Sequence, residues 1–349
     1  MNKIFIAGQE ISNNSPVFII AELSANHGGK IEIAKETIKA AAQTGADAIK
    51  LQTYTADTIT LDCDNEYFQI KQDTLWDGQT LYSLYQDAYM PWEWQAELKE
   101  YAESLGLICF SSPFDKTAVD FLESIEVPAY KIASFEITDI PLIEYVASKG
   151  KPVIISTGIA EKKDIQEAID ACHRVNNKDI ILLKCTSAYP APLEEANLLT
   201  IADLCKTFDV VSGFSDHTLG TTSPITAVAL GAKVIEKHFI LDRSIGGPDA
   251  SFSLDVEQFT QMVQAVRDTE KLLGKVNYGL TEKSKKSREF SRSLFICKDV
   301  QKGEVLDENN VRSVRPGFGM HPRELSHILG KSFKGAYKKG TPLSWDLVL

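Results

Sequence analysis

The chain has 349 residues, of which 44% are hydrophobic and 24% are charged, the balance of a globular protein that can bury a large core. Its formal net charge of −11 argues against non-specific nucleic-acid binding, although a locally basic pocket can still hold an anionic small molecule. The six cysteines form no CxxC pair and no apolar stretch reaches the ~18 residues of a membrane span, which predicts a reduced, cytoplasmic protein without a membrane anchor.

Eight short apolar runs alternate with longer amphipathic segments along the chain. The runs are VFIIAEL (17–23), DAIKLQTY (47–54), LICFSSPF (107–114), AYKIASF (129–135), PVIISTG (152–158), IILLKCTS (180–187), DVVSGFSD (209–216) and AKVIEKHF (232–239). Apolar strands that alternate with helices predict a parallel sheet covered by helices, and eight such units predict an α/β protein with a (β/α)₈ TIM barrel. A doubly wound sheet is the alternative, but no GxGxxG follows an early strand.

Two segments depart from this alternation. Residues 57–95 are rich in aromatic and polar side chains, and we interpret them as an inserted βα loop over the barrel mouth. After a predicted eighth helix at 256–274, the sequence becomes polar and basic. We therefore place the barrel domain at 1–280, a linker at 281–292, and a small, mostly β domain at 293–349, where short β-like pieces alternate with turn residues.

Two lysines stand inside predicted apolar strands, where a lysine is costly unless an anion neutralises it. These are Lys50 and Lys131, and the chemistry of a TIM barrel lies at the strand ends that they approach. A structural ion pair with Glu22 or Glu236, an anion clamp and a Schiff-base lysine are the three interpretations. We favour a clamp for phosphate or carboxylate, because two lysines with neighbouring hydroxyls suit anion binding better than imine chemistry.

Two histidines follow the seventh and eighth apolar runs, so adjacent strands should bring them together at the barrel mouth. These are His217 and His238, two of only six histidines in the chain. Neutral imidazole is the commonest metal ligand, and the pair suits a labile divalent ion such as Mn²⁺ if water, substrate oxygens or a carboxylate complete the shell. The residues alone leave open the alternative of one catalytic or packing histidine beside a bystander.

Ten motifs occur in an order that resembles the N-acetylneuraminate (sialic acid) synthase family over essentially the whole chain. They are AELSANHGG, KLQTY, FSSPFD, YKIAS, STG, YPAP, GFSDHTLG, EKHF, GGPDASFSLD and RPGFG. The resemblance implies a TIM barrel followed by a C-terminal antifreeze-like (SAF) β-clip domain, and a domain-swapped homodimer. It also implies condensation of phosphoenolpyruvate (PEP) with the aldehyde of an open-chain N-acetylated hexose, which gives a nine-carbon 2-keto acid and releases phosphate by C–O cleavage.

The resemblance also implies roles for individual residues. His217 and His238 match the family's metal ligands, for Mn²⁺, Mg²⁺ or Co²⁺, and with Glu22 they form the expected catalytic group. Glu22 is expected to orient or deprotonate the attacking water, with a salt bridge to a lysine as its alternative role. The positions expected to bind PEP are Lys50, Ser112, Lys131, Ser134, Ser187 and Ser215. The positions expected to bind the sugar are Gln52, Tyr189, Asp249, Phe290 and Arg315, the last reaching into the partner subunit's barrel.

Two departures from the family pattern bear on the sugar. Ser187 stands where the sialic acid enzymes have Asn, and SANHGG replaces their usual GINHNG. The motifs LQTYTADTITLD, LWDGQTLYSLYQDAYMPWEWQ and RPGFGMHPRE are most similar to the branch that acts on 2,4-diacetamido-2,4,6-trideoxyaltrose. An N-acetylneuraminate or legionaminate synthase that uses another acetamido sugar is the alternative.

Three other functions fit the residues less well. A PEP-using synthase for phosphorylated aldoses needs a second, arginine-rich phosphate site, and this chain has few strand-end arginines. A sugar-binding protein on a retired barrel would be expected to have lost one of the two lysines or two histidines, and all four are present. A Schiff-base lyase would be insensitive to chelators and inactivated by borohydride in the presence of substrate.

Overall fold

The computed structural model describes residues 3–71 and 76–349, which form two compact units. The first unit ends at Gly274, and the second runs from Lys275 to Leu349. The sequence places the end of the barrel domain slightly later, at 280, and the predicted linker contains a short helix, α11 (Glu282–Arg288). Residue 75, with which the motif LWDGQT begins, lies outside the described residues.

The part of the first unit that the structure describes contains ten strands. These are β1 (Ile4–Ile6), β2 (Gln9–Ile11), β3 (Phe18–Glu22), β4 (Ala48–Thr53), β5 (Ile108–Pro113), β6 (Tyr130–Ile132), β7 (Val153–Ser156), β8 (Ile180–Cys185), β9 (Val211–Asp216) and β10 (Val234–His238). β1 and β2 form an antiparallel hairpin. β3 to β10 form a closed parallel barrel in which β10 pairs with β3, so the predicted TIM barrel is confirmed.

The described residues of the first unit also form ten α-helices, of which the last follows β10. They are α1 (Ile31–Thr44), α2 (Ala56–Ile59), α3 (Leu81–Ala88), α4 (Trp92–Ser104), α5 (Lys116–Ser124), α6 (Ile140–Ala147), α7 (Lys162–Arg174), α8 (Thr200–Phe208), α9 (Thr222–Ala229) and α10 (Val256–Leu273). Their ends follow the sequence: Asp115 caps α5 by accepting from Thr117 and Ala118 N–H groups, and Gly45 ends α1 at a φ of 85°. No helix among the described residues is both long and apolar enough to cross a bilayer.

The connection between β4 and β5 carries the insertion expected from the sequence. It contains α2 and α3, followed by α4, which packs against α1 as the ordinary helix of this βα unit. Because α4 begins at Trp92, the last residues of the predicted 57–95 loop belong to this barrel helix. Gln95 in α4 is buried and bonds to both Thr53 and the Gln52 carbonyl, so the helix fixes the end of β4.

The side chains that point into the barrel change character along each strand. Near the strand starts they are apolar, as with Phe18, Phe110 and Val234, and they pack with Ile4 and Ile6 of the β1–β2 hairpin into one core cluster. Two to four strand positions further on, the inward side chains become polar, as with Glu22, Ser112 and Glu236, because alternate residues of a strand face the same side. The barrel is therefore filled at one end and lined by polar groups at the other.

The second unit has a separate hydrophobic core. Its strands are β11 (Ser293–Ile296) and β12 (Val311–Val314), which pair antiparallel, and its second helix is α12 (Leu325–Ile328). Leu294, Leu306 and Phe333 are fully buried in this core. The predicted small C-terminal β domain is confirmed.

Candidate active site

A cavity of about 540 Å³ lies at the polar end of the barrel, and most of the predicted site residues line it. Those that line it are Glu22, Lys50, Gln52, Lys131, Ser134, Ser187, Tyr189, Ser215, His217, His238 and Asp249. They come from the ends of β3, β4, β6, β8, β9 and β10 and from the loops that follow, which is where the fold places chemistry. Residues far apart in the sequence are thus brought together by the barrel closure.

Two lysines and two glutamates form an ion cluster at the base of the cavity. Lys50 Nζ lies 3.0 Å from Glu22 Oε1 and 2.9 Å from Glu236 Oε1, and Lys131 Nζ lies 3.0 Å from the same Glu236 oxygen. All four side chains are almost completely buried. The ion pairs considered from sequence are therefore present, and the lysines also line the cavity. Glu236 Oε2 has no hydrogen-bond partner among the described residues, so the cluster's donors converge on one oxygen.

Interactions within the cluster favour the charged forms of Glu22 and Lys50, but favour that of Lys131 less strongly. Burial opposes ionisation of Glu22, but His238 and Lys50 overcome it and hold the pKa of Glu22 far below its usual range. Burial likewise opposes the charge of Lys50, but both glutamates raise its pKa. For Lys131 burial prevails, and its pKa is lowered although Glu236 opposes the shift. Lys131, with the one ion-pair contact, is thus the less fully neutralised lysine.

The two histidines lie side by side, with ring centroids 5.3 Å apart. His217 Nδ1 lies 3.0 Å from the Thr186 carbonyl oxygen and 3.7 Å from Cys185 Sγ. A carbonyl can only accept, so Nδ1 carries the proton of the neutral ring and Nε2 keeps its lone pair. Burial opposes the imidazolium, but Cys185 and the Thr186 carbonyl raise the pKa of His217 to about 9. Metal binding at this ring would therefore displace a proton.

The second histidine is placed between two carboxylates. His238 Nε2 lies 3.3 Å from Glu22 Oε2, and Nδ1 lies 3.5 Å from Asp249 Oδ2 without a hydrogen-bond partner among the described residues. Nε2 of His217, once it has lost its proton, and Nδ1 of His238 suit a divalent cation. Within the described residues, no group of three or more His, Cys, Asp or Glu is arranged as a complete metal site. The residues therefore fit a labile ion whose shell is completed by water or substrate.

Three serine hydroxyl groups at the polar end of the barrel are unpaired among the described residues. The Oγ atoms of Ser112, Ser156 and Ser187 are buried and have no hydrogen-bond partner among the described residues. Buried hydroxyls without a partner are uncommon and point to an unseen ligand or water. The space near them depends on Gly158, since a Cβ at this position would lie 2.2 Å from Ser187 Oγ. Ser112 is buried on β5 but does not line the cavity as the other predicted serines do.

The cavity has a second end, formed by aromatic side chains and the insertion. The Tyr189 ring lies 4.4 Å from the His217 ring and 5.7 Å from the Trp76 ring, measured between centroids. Tyr189 therefore lies between His217 and the inserted segment. Of the remaining predicted residues, Phe290 and Arg315 belong to the second unit, where Phe290 is exposed.

Among the polar groups of this cavity that were not predicted from sequence are Glu136 and Cys185. Glu136 lies in a 3₁₀ turn just beyond β6, and burial raises its pKa to about 7 although Lys131 opposes the shift. Its position directly after a strand end was the available signal. Cys185 is the last inward residue of β8, and the alternation from Ile181 through Leu183 would have placed it there.

Comparison with known proteins identifies the barrel. The NeuB family matches residues 37–278. The chain belongs to the NeuB family. The SAF domain matches residues 291–349, beyond the NeuB match.

Full-length relatives resemble the chain across both units of this NeuB family protein. A pseudaminic acid synthase of Helicobacter pylori is 50% identical over 332 residues, covering 95% of this chain and 97% of the relative. A pseudaminic acid synthase of Campylobacter jejuni is 50% identical over 320 residues, covering 92% and 93%. Among solved structures, the N-acetylneuraminic acid synthetase of Leptospira borgpetersenii, in complex with citrate, is 31% identical with a TM-score of 0.73, covering 83% of this chain and 96% of that one.

Proposed function

We propose that this NeuB family protein is a pseudaminic acid synthase. It would condense PEP with the open-chain aldehyde of 2,4-diacetamido-2,4,6-trideoxyaltrose, release phosphate by C–O cleavage, and give a nine-carbon 2-keto sugar acid. The observation that carries the proposal is one cavity that holds a two-lysine cluster beside two metal-fitting histidines. The 50% identity to two proteins named for this activity supports the choice of sugar.

The two lysines would bind the anionic groups of PEP. Lys131 makes one ion-pair contact, 3.0 Å from Glu236 Oε1, and an ammonium group has three donors, so it keeps donors for a phosphate or carboxylate. Ser134, Ser187 and Ser215, with Ser112 beside them, are proposed to add hydroxyl donors. Donors fixed in advance in a buried site stabilise the charge that develops as phosphate leaves.

The bond changes follow from the two substrates. C3 of PEP attacks the aldehyde carbon, the carbonyl oxygen takes a proton, and the cation left at C2 adds water. One proton of the added water balances the proton taken up by the former aldehyde oxygen. The resulting tetrahedral intermediate expels phosphate as the bond from C2 to the phosphate oxygen breaks, and the remaining C2 hydroxyl loses its proton to give the ketone. Glu22, 3.0 Å from Lys50 and bonded to Gln52 Nε2 at 2.9 Å, would orient this water and stabilise the cation. Its low pKa makes the carboxylate a weak base, which favours orientation over deprotonation.

His217 and His238 are proposed to hold a divalent cation, Mn²⁺, Mg²⁺ or Co²⁺. NeuB family enzymes are generally metal-dependent. When bound, such an ion supplies Lewis acidity to a carbonyl oxygen. The Thr186 carbonyl would keep the His217 ring oriented, because it accepts a hydrogen bond from Nδ1–H.

The sugar is proposed to lie against Gln52, Tyr189 and Asp249. These residues line the part of the cavity nearest the histidines. Phe290 and Arg315 are proposed to complete the sugar site of a partner subunit in a domain-swapped homodimer, the assembly that the family resemblance implies.

The direct test is phosphate release from PEP with three sugars in parallel, each with Mn²⁺ or with EDTA. The sugars are 2,4-diacetamido-2,4,6-trideoxyaltrose, the legionaminate precursor and N-acetylmannosamine. Mn²⁺-dependent release with the altrose alone is the expected result. Release with another sugar alone would assign the alternative, a legionaminate or N-acetylneuraminate synthase. Release in EDTA would overturn the metal role, and no release with any sugar would overturn the synthase.

A further inference from the structure

One face of helix α3 in the insertion is apolar, yet it belongs to none of the hydrophobic core clusters of the described residues. Leu81, Leu84, Tyr85 and Ala88 stand at the i, i+3, i+4 and i+7 positions, so they share one side of the helix. All four line the cavity. A stripe with this spacing normally packs into a core. Here it forms a wall of the cavity instead.

Other residues of the insertion extend the same wall. Ile59 at the end of α2 and Ile70 also line the cavity and also lie outside the core clusters. Tyr54 joins the wall to β4, with its ring centroid 5.7 Å from that of Tyr85. The wall (Ile59, Ile70, Leu81, Leu84, Tyr85 and Ala88) therefore offers a ligand apolar surface without strong hydrogen-bond donors, apart from the Tyr85 hydroxyl.

The insertion that carries the wall also reaches the residues proposed to hold the sugar. Trp76, from the same insertion, contacts Tyr189, whose ring in turn contacts His217. The lysine cluster is at the base of the cavity, on the barrel strands. The insertion follows β4 and lies over the barrel mouth. A linear sugar with its aldehyde near the histidines has C6 as the carbon furthest from the reaction, and this carbon would approach the wall.

We propose that this wall is a specificity subsite for the deoxygenated C6 of the acceptor sugar, and that it selects a methyl group over a hydroxymethyl group. The proposal rests on the proposed function, because it concerns the sugar that the synthase accepts. A hydroxyl buried against the wall loses its hydrogen bonds to water without full replacement. An apolar pocket discriminates against one added hydroxyl by about a hundredfold at most.

The test compares 2,4-diacetamido-2,4,6-trideoxyaltrose with its 6-hydroxy analogue as acceptors. The measured quantity is the ratio of kcat/KM for the two sugars. The expected ratio for the natural protein is roughly ten to a hundred in favour of the deoxy sugar. In Leu84→Asn, which places an amide of similar size on the wall, we expect the ratio to fall about tenfold while the KM for PEP stays unchanged.

Two further variants control this test. Leu61→Asn makes the same change in the same insertion at a side chain that is 65% exposed and does not line the cavity, so its ratio should equal that of the natural protein. Ile59→Thr alters a half-buried wall residue and tests the proposal if Leu84→Asn does not fold. We expect it to lower the ratio several-fold.

The outcomes separate the two proposals. Turnover of the deoxy sugar with a ratio near one, or a ratio that neither wall variant changes, would overturn the wall subsite and leave the synthase standing. Turnover of neither sugar by the natural protein would overturn the proposed function and the subsite with it. A fall of the ratio in Leu61→Asn equal to that in Leu84→Asn would show a general effect of the insertion and would also overturn the subsite.

Discussion

The inner and outer faces of the barrel sheet bury lysines in different ways. Lys237 points away from the cavity, and its Nζ lies 2.5 Å from both Asp216 Oδ2 and the Thr218 carbonyl oxygen. Lys131 points inward and contacts one oxygen of Glu236, which Lys50 shares. Both Lys237 and Lys131 are about 2% exposed or less, so burial does not distinguish them.

The two lysines differ in their ion-pair partners and in whether a ligand in the cavity can reach them. Lys237 has a carboxylate of its own and does not line the cavity, so its ion pair serves the packing of β9 against β10. Lys131 shares its carboxylate oxygen with another cation and lines the cavity beside unpaired hydroxyls. A buried lysine therefore indicates a binding site only when its partners are shared and a cavity reaches it. Replacement by methionine should therefore lower mainly stability at Lys237 and mainly activity at Lys131.

The largest expected effect comes from Lys237→Met. Among the described residues it leaves the fully buried Asp216 with the Thr218 N–H at 2.8 Å as its one hydrogen-bond donor, and an uncompensated buried charge costs about 3–5 kcal/mol of unfolding free energy. Urea unfolding would measure the loss. The double variant Asp216→Asn with Lys237→Met removes both charges and should recover most of it. An unchanged urea midpoint in the single variant would show that the pair contributes nothing.

Lys131→Met should lower activity by a free energy comparable to the stability loss in Lys237→Met. Its own loss of stability should be smaller. Glu236 Oε1 keeps Lys50 at 2.9 Å and Ser215 Oγ at 3.0 Å, so its charge remains compensated. Loss of one donor to the phosphate should lower kcat/KM for PEP by about 10²–10³-fold. Steady-state phosphate release would measure this. If the variant unfolded in less urea than Lys237→Met but turned over PEP normally, the contrast between the two faces would be wrong.

The barrel and the lysines could be predicted because both leave strong local signals. Each strand is a continuous apolar run, and Lys50 and Lys131 interrupt such runs with charge. The sharing of one Glu236 oxygen between the two lysines could not be predicted, because it depends on barrel closure between β10 and β3. Ser112 has the same strand-end signal as Ser134, yet only Ser134 lines the cavity, since the pattern gives direction but not depth.

The insertion was harder to predict in detail. Its aromatic and polar composition indicated a loop over the mouth, and α2 and α3 within it confirm an insertion between β4 and β5. The stripe from Leu81 to Ala88 has ordinary helical spacing, which usually indicates packing against a core. Only the three-dimensional arrangement distinguishes a stripe that faces a cavity from one that is covered by protein.

Glu136 provides the smallest effect and sharpens the comparison, because it is a partly buried charge without an ion-pair contact of its own. Burial raises its pKa from 4.5 to about 7, with the backbone N–H and Lys131 acting in the opposite direction. The folded protein thus binds this proton more tightly than the unfolded chain does. The stability that the group contributes is present at low pH and is lost as pH rises from about 4.5 through about 7, by about 3 kcal/mol at most.

Glu136→Gln should remove this pH dependence, because glutamine is neutral at every pH and has nearly the same shape. The variant should match the natural protein near pH 4 and exceed its unfolding free energy at pH 8 by up to about 3 kcal/mol. Urea unfolding at pH 4, 6 and 8 would measure the difference, with Glu126→Gln, the same change at an exposed carboxylate that does not line the cavity, as the matched control. Parallel pH profiles for the natural protein and Glu136→Gln would mean that water or Lys131 already compensates the ionised carboxylate. In that case the charged groups near Lys131 would form one compensated cluster. Lys131 would then differ from the Lys237–Asp216 pair only in that it lines the cavity.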